Sequence, residues 1–126
     1  MNGKKVLLID EEKAILETYT FLLSREGYCV VTANSGVKAM KEFYQQPFDL
    51  IVMDLAIKNG NGHTLLEEVK KRFPIMPVIV LTEKVSEAIT MFASLLGASA
   101  LIEKPCSYEM LLSCIGRSLK GNRKFQ

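Results

Sequence analysis

The sequence has no C-x-x-C pair among its three cysteines, only one histidine, no long apolar run and almost no net charge. Each absence removes a class of function. Cys29, Cys106 and Cys114 are odd in number, so at least one thiol has no partner within the chain and a disulfide framework is not supported. Reduced, mostly buried thiols are expected. His63 has no Cys or His nearby to complete a metal site and is expected to help open the helix that follows it. No apolar stretch approaches the ~18 residues of a membrane span. VLLI, after MNGKK, is too short for the ~7 to 15 apolar residues of a secretory signal, so the chain reads as cytoplasmic and away from membranes.

The formal charge is +2, and the basic residues fall in short groups, Lys70-Lys71-Arg72 and Arg117, Lys120, Arg123 and Lys124. Direct nucleic-acid binding needs a broader basic face with base-reading residues, so these groups read as solvated helix faces and a terminus. At 48% hydrophobic and 24% charged residues the composition is that of a globular protein. Its 126 residues suffice for one core, which hides roughly two thirds of the unfolded surface.

Short apolar runs alternate with stretches of helical period. The runs are Val6–Ile9, Cys29–Val31, Leu50–Met53, Val78–Leu81 and Ala100–Ile102. Continuous apolarity, without polar alternation, predicts parallel strands covered by helices on both faces. Between them lie five stripes: Ile15, Thr18, Leu22, Leu23; Val37, Met40, Phe43, Tyr44; Leu65, Leu66, Val69, Phe73; Ile89, Phe92, Ala93, Leu96; and Leu111, Cys114, Ile115, Leu119. Ser35 and Ser107 are expected N-caps. Gly27 suits a left-handed helix end, Pro47 and Pro74 stop helices, and Gly97 closes the fourth. The reading is a single doubly wound (βα)5 α/β domain over residues 1–120, with 121–126 a frayed tail.

Polar residues follow four of the runs: Asp10 and Glu11 the first, Asp54 the third, Thr82 the fourth and Lys104 the fifth. In open parallel sheets the carboxyl ends of the strands border the ligand crevice. If the first and third strands are neighbours, about 4.8 Å apart, the three carboxylates share one pocket. Each pair then repels by about 4 kcal/mol at 4 Å and an effective dielectric of 20. Lys104 can offset one charge, and Mg²⁺, or Mn²⁺, is the natural oxygen-liganded partner for the rest. A carboxylate beside such an ion can act as nucleophile toward phosphorus, with Thr82 and Lys104 meeting the phosphoryl oxygens. Any one polar strand end alone could simply face solvent; the set makes a common site the stronger reading.

These residues resemble the receiver domains of bacterial two-component response regulators from Lys4 to Leu119. The likeness rests on Asp10-Glu11-Glu12, Asp54 with Gly62, Thr82 after VIVL, Gly97-Ala98 and Lys104-Pro105, in that order. It implies a flavodoxin-like sheet of order 2-1-3-4-5, with Asp54 as phosphoacceptor. Asp10, Glu11, Asp54 and the Ala56 backbone carbonyl would be metal ligands, Thr82 the switch hydroxyl and Lys104 the phosphoryl-binding lysine. A cis bond before Pro105 is also implied. The implied partners are a sensor histidine kinase or histidine phosphotransfer protein, and a downstream protein or attached output domain on the face of the fourth helix, fifth strand and fifth helix. A homodimer is a further implication.

Departures from the family pattern stand at six positions. Glu11 replaces the usual aspartate, which implies altered Mg²⁺ affinity because one more methylene moves the carboxylate outward by more than ~1 Å at a metal with strict geometry. Lys58 replaces a common proline before Asn59-Gly60-Asn61-Gly62, so this loop is expected to be mobile. Ala56, Glu83 and Lys84 change the pocket lining. Leu101 stands at the switch position, where an aromatic residue often couples to the threonine, so another rearrangement of the fourth helix and fifth strand is expected. The alternatives are a phosphorylation-independent interaction module of the same fold, a flavin protein and an aspartyl phosphatase. The flavin reading conflicts with the acids after the first strand, which repel phosphate. The phosphatase reading conflicts with Ala56, where a second aspartate is needed.

Overall fold

The computed structural model describes residues 3–57 and 62–121. Five strands alternate with five helices: β1 Lys5–Ile9, α1 Lys13–Arg25, β2 Cys29–Ala33, α2 Gly36–Gln45, β3 Leu50–Asp54, α3 Gly62–Arg72, β4 Val78–Thr82, α4 Glu87–Leu95, β5 Ala100–Glu103 and α5 Tyr108–Leu119. All pairings are parallel, in the order β2-β1-β3-β4-β5. The two middle strands β3 and β4 are buried at every position, as continuous apolar runs require.

Strand alternation divides the core in two. Leu7, Ile9, Ile51, Met53, Val78 and Val80 face α2, α3 and α4, while Val6, Leu8, Leu50, Val52, Ile79 and Leu81 face α1 and α5. Ser35, Ser86 and Ser107 cap α2, α4 and α5 by accepting backbone N–H bonds from Lys38, Ile89 and Met110. Gly27, at φ +97°, ends α1 in a conformation L side chains rarely adopt.

Several expectations are corrected. Thr18 is exposed, and α1 is buried through Leu16 and Leu23, with Tyr19 packed on the same cluster. Val37 and Tyr44 are exposed, and α2 lays Gly36, Ala39 and Phe43 on the sheet. Phe73 is half exposed but meets Phe43 edge-on at 5.1 Å. The thiols are not mostly buried: Cys29 is exposed on edge strand β2, Cys106 is half-buried and only Cys114 lies in the core. The expected mobility of Lys58–Asn61 and the tail residues 122–126 lie outside the described residues. No described helix is long and apolar enough to cross a membrane.

Gly62 starts α3 against the backbone of Leu55, the residue after Asp54. A Cβ there would collide with the Leu55 carbonyl oxygen and come within 2.7 Å of its carbonyl carbon and 2.9 Å of its Cα. Backbone cannot swing aside as a side chain does, so Gly62→Ala is expected to cost about 1–3 kcal/mol. A urea midpoint unchanged from the parent protein would contradict this.

Candidate functional site

The parallel register brings four strand ends to one edge of the sheet. Ile9 pairs with Met53, so Asp10 and Asp54, each one residue further, are neighbours. Asp54 and Thr82 close β3 and β4, and Lys104 follows β5, its N–H bonded to the Thr82 carbonyl at 2.7 Å. Asp10, Asp54 and Thr82 are buried, at 2%, 7% and 9% exposure. The adjacency of the first and third strands, a condition in the sequence reading, is present.

Each aspartate is fixed by the turn it begins. Asp10 Oδ1 accepts from the Glu12 N–H at 2.9 Å, and Asp54 Oδ1 accepts from the Ala56 N–H at 3.1 Å. Both bonds are the short-range Asx type that suits a strand running into a loop. The second oxygens turn to Lys104: its Nζ is 3.0 Å from Asp54 Oδ2 and 3.5 Å from Asp10 Oδ2. Burial alone would lower the Lys104 pKa. The hydrogen bond to Asp54 and the charges of Asp10 and Asp54 outweigh it, so the ammonium is held above its ordinary value. Asp10 Oδ2 is inaccessible to solvent and, beyond this ion pair, has no hydrogen-bond partner among the described residues.

Thr82 Oγ1 faces its own loop, with the Lys84 N–H and carbonyl both at 3.4 Å. Glu11 is half-buried. Among the described residues no three His, Cys, Asp or Glu side chains converge as a metal cluster, so the three carboxylates do not meet as one group. Ala56 is exposed, Leu101 is half-buried and the Lys104–Pro105 bond is cis. His63 stacks against Phe92 at 4.3 Å in the first turn of α3.

A cavity of about 540 Å³ opens beside the aspartates, lined among others by Asp10, Glu83, Lys104, Tyr19 and Cys106. The sequence reading missed Tyr19 and Cys106, which the fold brings together in this lining. Burial raises the pKa of both: for Tyr19 the Cys106 contact adds to it, and for Cys106 the Tyr19 contact and Lys104 partly offset it. The position of Cys106, two residues beyond Lys104, was the available signal. Tyr19 offered none, because its neighbours on α1 are set only by packing.

The sequence profile of the response regulator receiver domain matches residues 6–116. The chain is 34% identical over 119 residues to the alginate biosynthesis transcriptional regulatory protein AlgB of Pseudomonas syringae, and likewise to that of Pseudomonas putida. The match covers 94% of this chain and 27% of each relative, so the chain spans about a quarter of their length. Among solved structures it resembles a CheY-like response regulator receiver domain protein of Methanospirillum hungatei, with TM-score 0.90, 30% identity and coverage of 95% and 96% of the two chains. It also resembles the non-phosphorylated HemR receiver domain of Leptospira biflexa, with TM-score 0.89, 27% identity and coverage of 98% and 100%. With the doubly wound sheet and the clustered strand ends, these matches show that the chain belongs to the response regulator receiver domain family of two-component signalling.

Proposed function

We propose that residues 1–120 form a phosphorylation-controlled switch in which Asp54 accepts a phosphoryl group from a sensor histidine kinase or a histidine phosphotransfer protein. The observation that carries this reading is the buried Asp54 carboxylate with Lys104 Nζ at 3.0 Å and Asp10 beside it. One Asp54 oxygen attacks phosphorus, the bond from phosphorus to the donor imidazole breaks, and its electron pair returns to the imidazole nitrogen. Lys104 holds the attacking carboxylate in place and remains as a cation for the new phosphoryl oxygens. Thr82 Oγ1 would donate to one of those oxygens.

The residues present fit a hard divalent cation. Asp10 Oδ2 is buried and, among the described residues, has the Lys104 ammonium at 3.5 Å but no hydrogen bond, and the donors are oxygen throughout, as Mg²⁺ or Mn²⁺ prefers. Asp10, Glu11, Asp54 and the Ala56 carbonyl would hold it. When bound, the ion screens the carboxylates from the incoming phosphoryl oxygens. That no three acids converge as a metal cluster among the described residues favours a second reading, an interaction module indifferent to phosphate.

The surface of α4 would carry the output. Met91 and Leu95 are 63% and 79% exposed, and Val85 and Ser94 extend the same apolar groove. An attached output domain, a separate downstream protein or a second copy would dock there, over the α4, β5 and α5 face. Intact mass on fresh samples tests the phosphoacceptor reading. With acetyl phosphate and Mg²⁺, or with a cognate kinase, the protein gains one phosphoryl group. An unchanged mass in every case favours the phosphate-independent module.

A further inference from the structure

The loop from Glu83 to Ser86 leads from Thr82 into α4, and side chains tie it down. The Lys84 N–H meets Thr82 Oγ1 at 3.4 Å, and the Val85 N–H donates to Glu103 Oε2 at 3.2 Å. Glu103 ends β5 directly beside Thr82 in the strand register. Leu101 and Glu103, two residues apart, project from the same face of the sheet. Leu101 packs there into the core shared with Ile89, Phe92 and Leu96 of α4. It has no polar atom to offer the loop; the side chain reaching from β5 to the loop is Glu103.

We propose that Glu103 is a positioning residue that latches the β4–α4 loop in the arrangement where Thr82 faces its own backbone. The proposal rests on the phosphoacceptor reading of Asp54. Thr82 has one hydroxyl proton, which cannot serve both the Lys84 carbonyl and a phosphoryl oxygen on Asp54. Turning Thr82 toward Asp54 gives up both contacts to Lys84. The Lys84 carbonyl and the Val85 N–H belong to one planar peptide unit, so Glu103 holds the same peptide that Thr82 grips, and a loop shift that carries this peptide away from Thr82 also draws the N–H from Glu103. The carboxylate therefore biases the switch toward the unphosphorylated arrangement, and it links β5 to the loop where Leu101 offers no polar contact.

Beryllium fluoride with Mg²⁺, a mimic of the phosphoryl group, tests the latch on the full chain at high salt. Glu103 is exposed, so neither Glu103→Ala nor Glu103→Gln threatens the fold. Glu103→Ala is expected to bind the mimic about threefold to tenfold more tightly, the equivalent of one net hydrogen bond. Its affinity for Mg²⁺ alone stays unchanged. Glu103→Gln keeps an oxygen acceptor and remains nearer the parent protein. Amide exchange of Val85 quickens in Glu103→Ala, while that of Ile89, capped by Ser86, does not. Binding of the mimic unchanged in Glu103→Ala overturns the latch alone. The same holds if Glu103→Gln matches Glu103→Ala, because the gain is then a field effect of the lost charge. A parent protein that does not bind the mimic overturns both the latch and the phosphoacceptor reading.

Discussion

Asp54→Asn is expected to take up no phosphoryl group from acetyl phosphate or from a kinase, measured by intact mass against the parent protein. An amide oxygen has no charge to attack with, and its nitrogen is no nucleophile. The change is otherwise mild. Asparagine keeps an Oδ1 that can accept from the Ala56 N–H, and Lys104 keeps Asp10 at 3.5 Å. The group of Asp10, Asp54 and Lys104 passes from one net negative charge to none, so folding stability is expected to move by less than about 1 kcal/mol. Loss of uptake without loss of fold separates chemistry from architecture. Undiminished uptake by Asp54→Asn would assign the phosphoryl group to another residue.

The fold was legible where burial on two faces leaves no room for polar alternation. β3 and β4 are apolar at nearly every position, and all five apolar runs became strands. Composition could not show that β2 lies at an edge, with one neighbour and exposed Cys29 and Thr32. Strand order came through family resemblance, because apolarity marks a strand without naming its neighbours. The helix stripes drifted for a related reason. A search for large apolar residues selected Val37 and Tyr44, whereas α2 needs close approach and buries Gly36, Ala39 and Phe43 at spacings of three and four.

The site was legible as a set of residues and illegible as an arrangement. Asp10, Asp54, Thr82 and Lys104 could be named because each ends a strand or directly follows one, and strand ends of a parallel sheet share one rim. How their side chains pair depends on rotamers that no periodicity encodes. Lys104 bridges two aspartates, Thr82 faces Lys84, and no three acids converge as one group among the described residues. Glu103 was passed over for a similar reason: next to Lys104 it reads as one more solvated acid, and only the fold brings Val85 within 3.2 Å of it.

Lys104→Met tests the other half of the charge balance. Methionine fills the path of the lysine stem but leaves Asp10 and Asp54, at 2% and 7% exposure, facing each other without a cation. Removing one member of a fully buried pair typically costs 3–5 kcal/mol. The Lys104 side chain retains 16% exposure, so about 2–4 kcal/mol is expected here at neutral pH. Urea denaturation reads it directly, and a loss below about 0.5 kcal/mol would mean that solvent already screens the carboxylates. Mg²⁺ is expected to return part of the loss and to stabilise the variant more than the parent, because the parent's pocket already holds a cation. The pH dependence has a definite sign. Folding raises the Lys104 pKa above its ordinary 10.5, so the folded chain holds this proton more tightly than the unfolded one. The parent's advantage over Lys104→Met is therefore complete at neutral pH, constant up to the unfolded lysine value, and lost as pH rises through the folded one. An advantage unchanged as pH rises through the lysine range would mean that the ammonium is not its source.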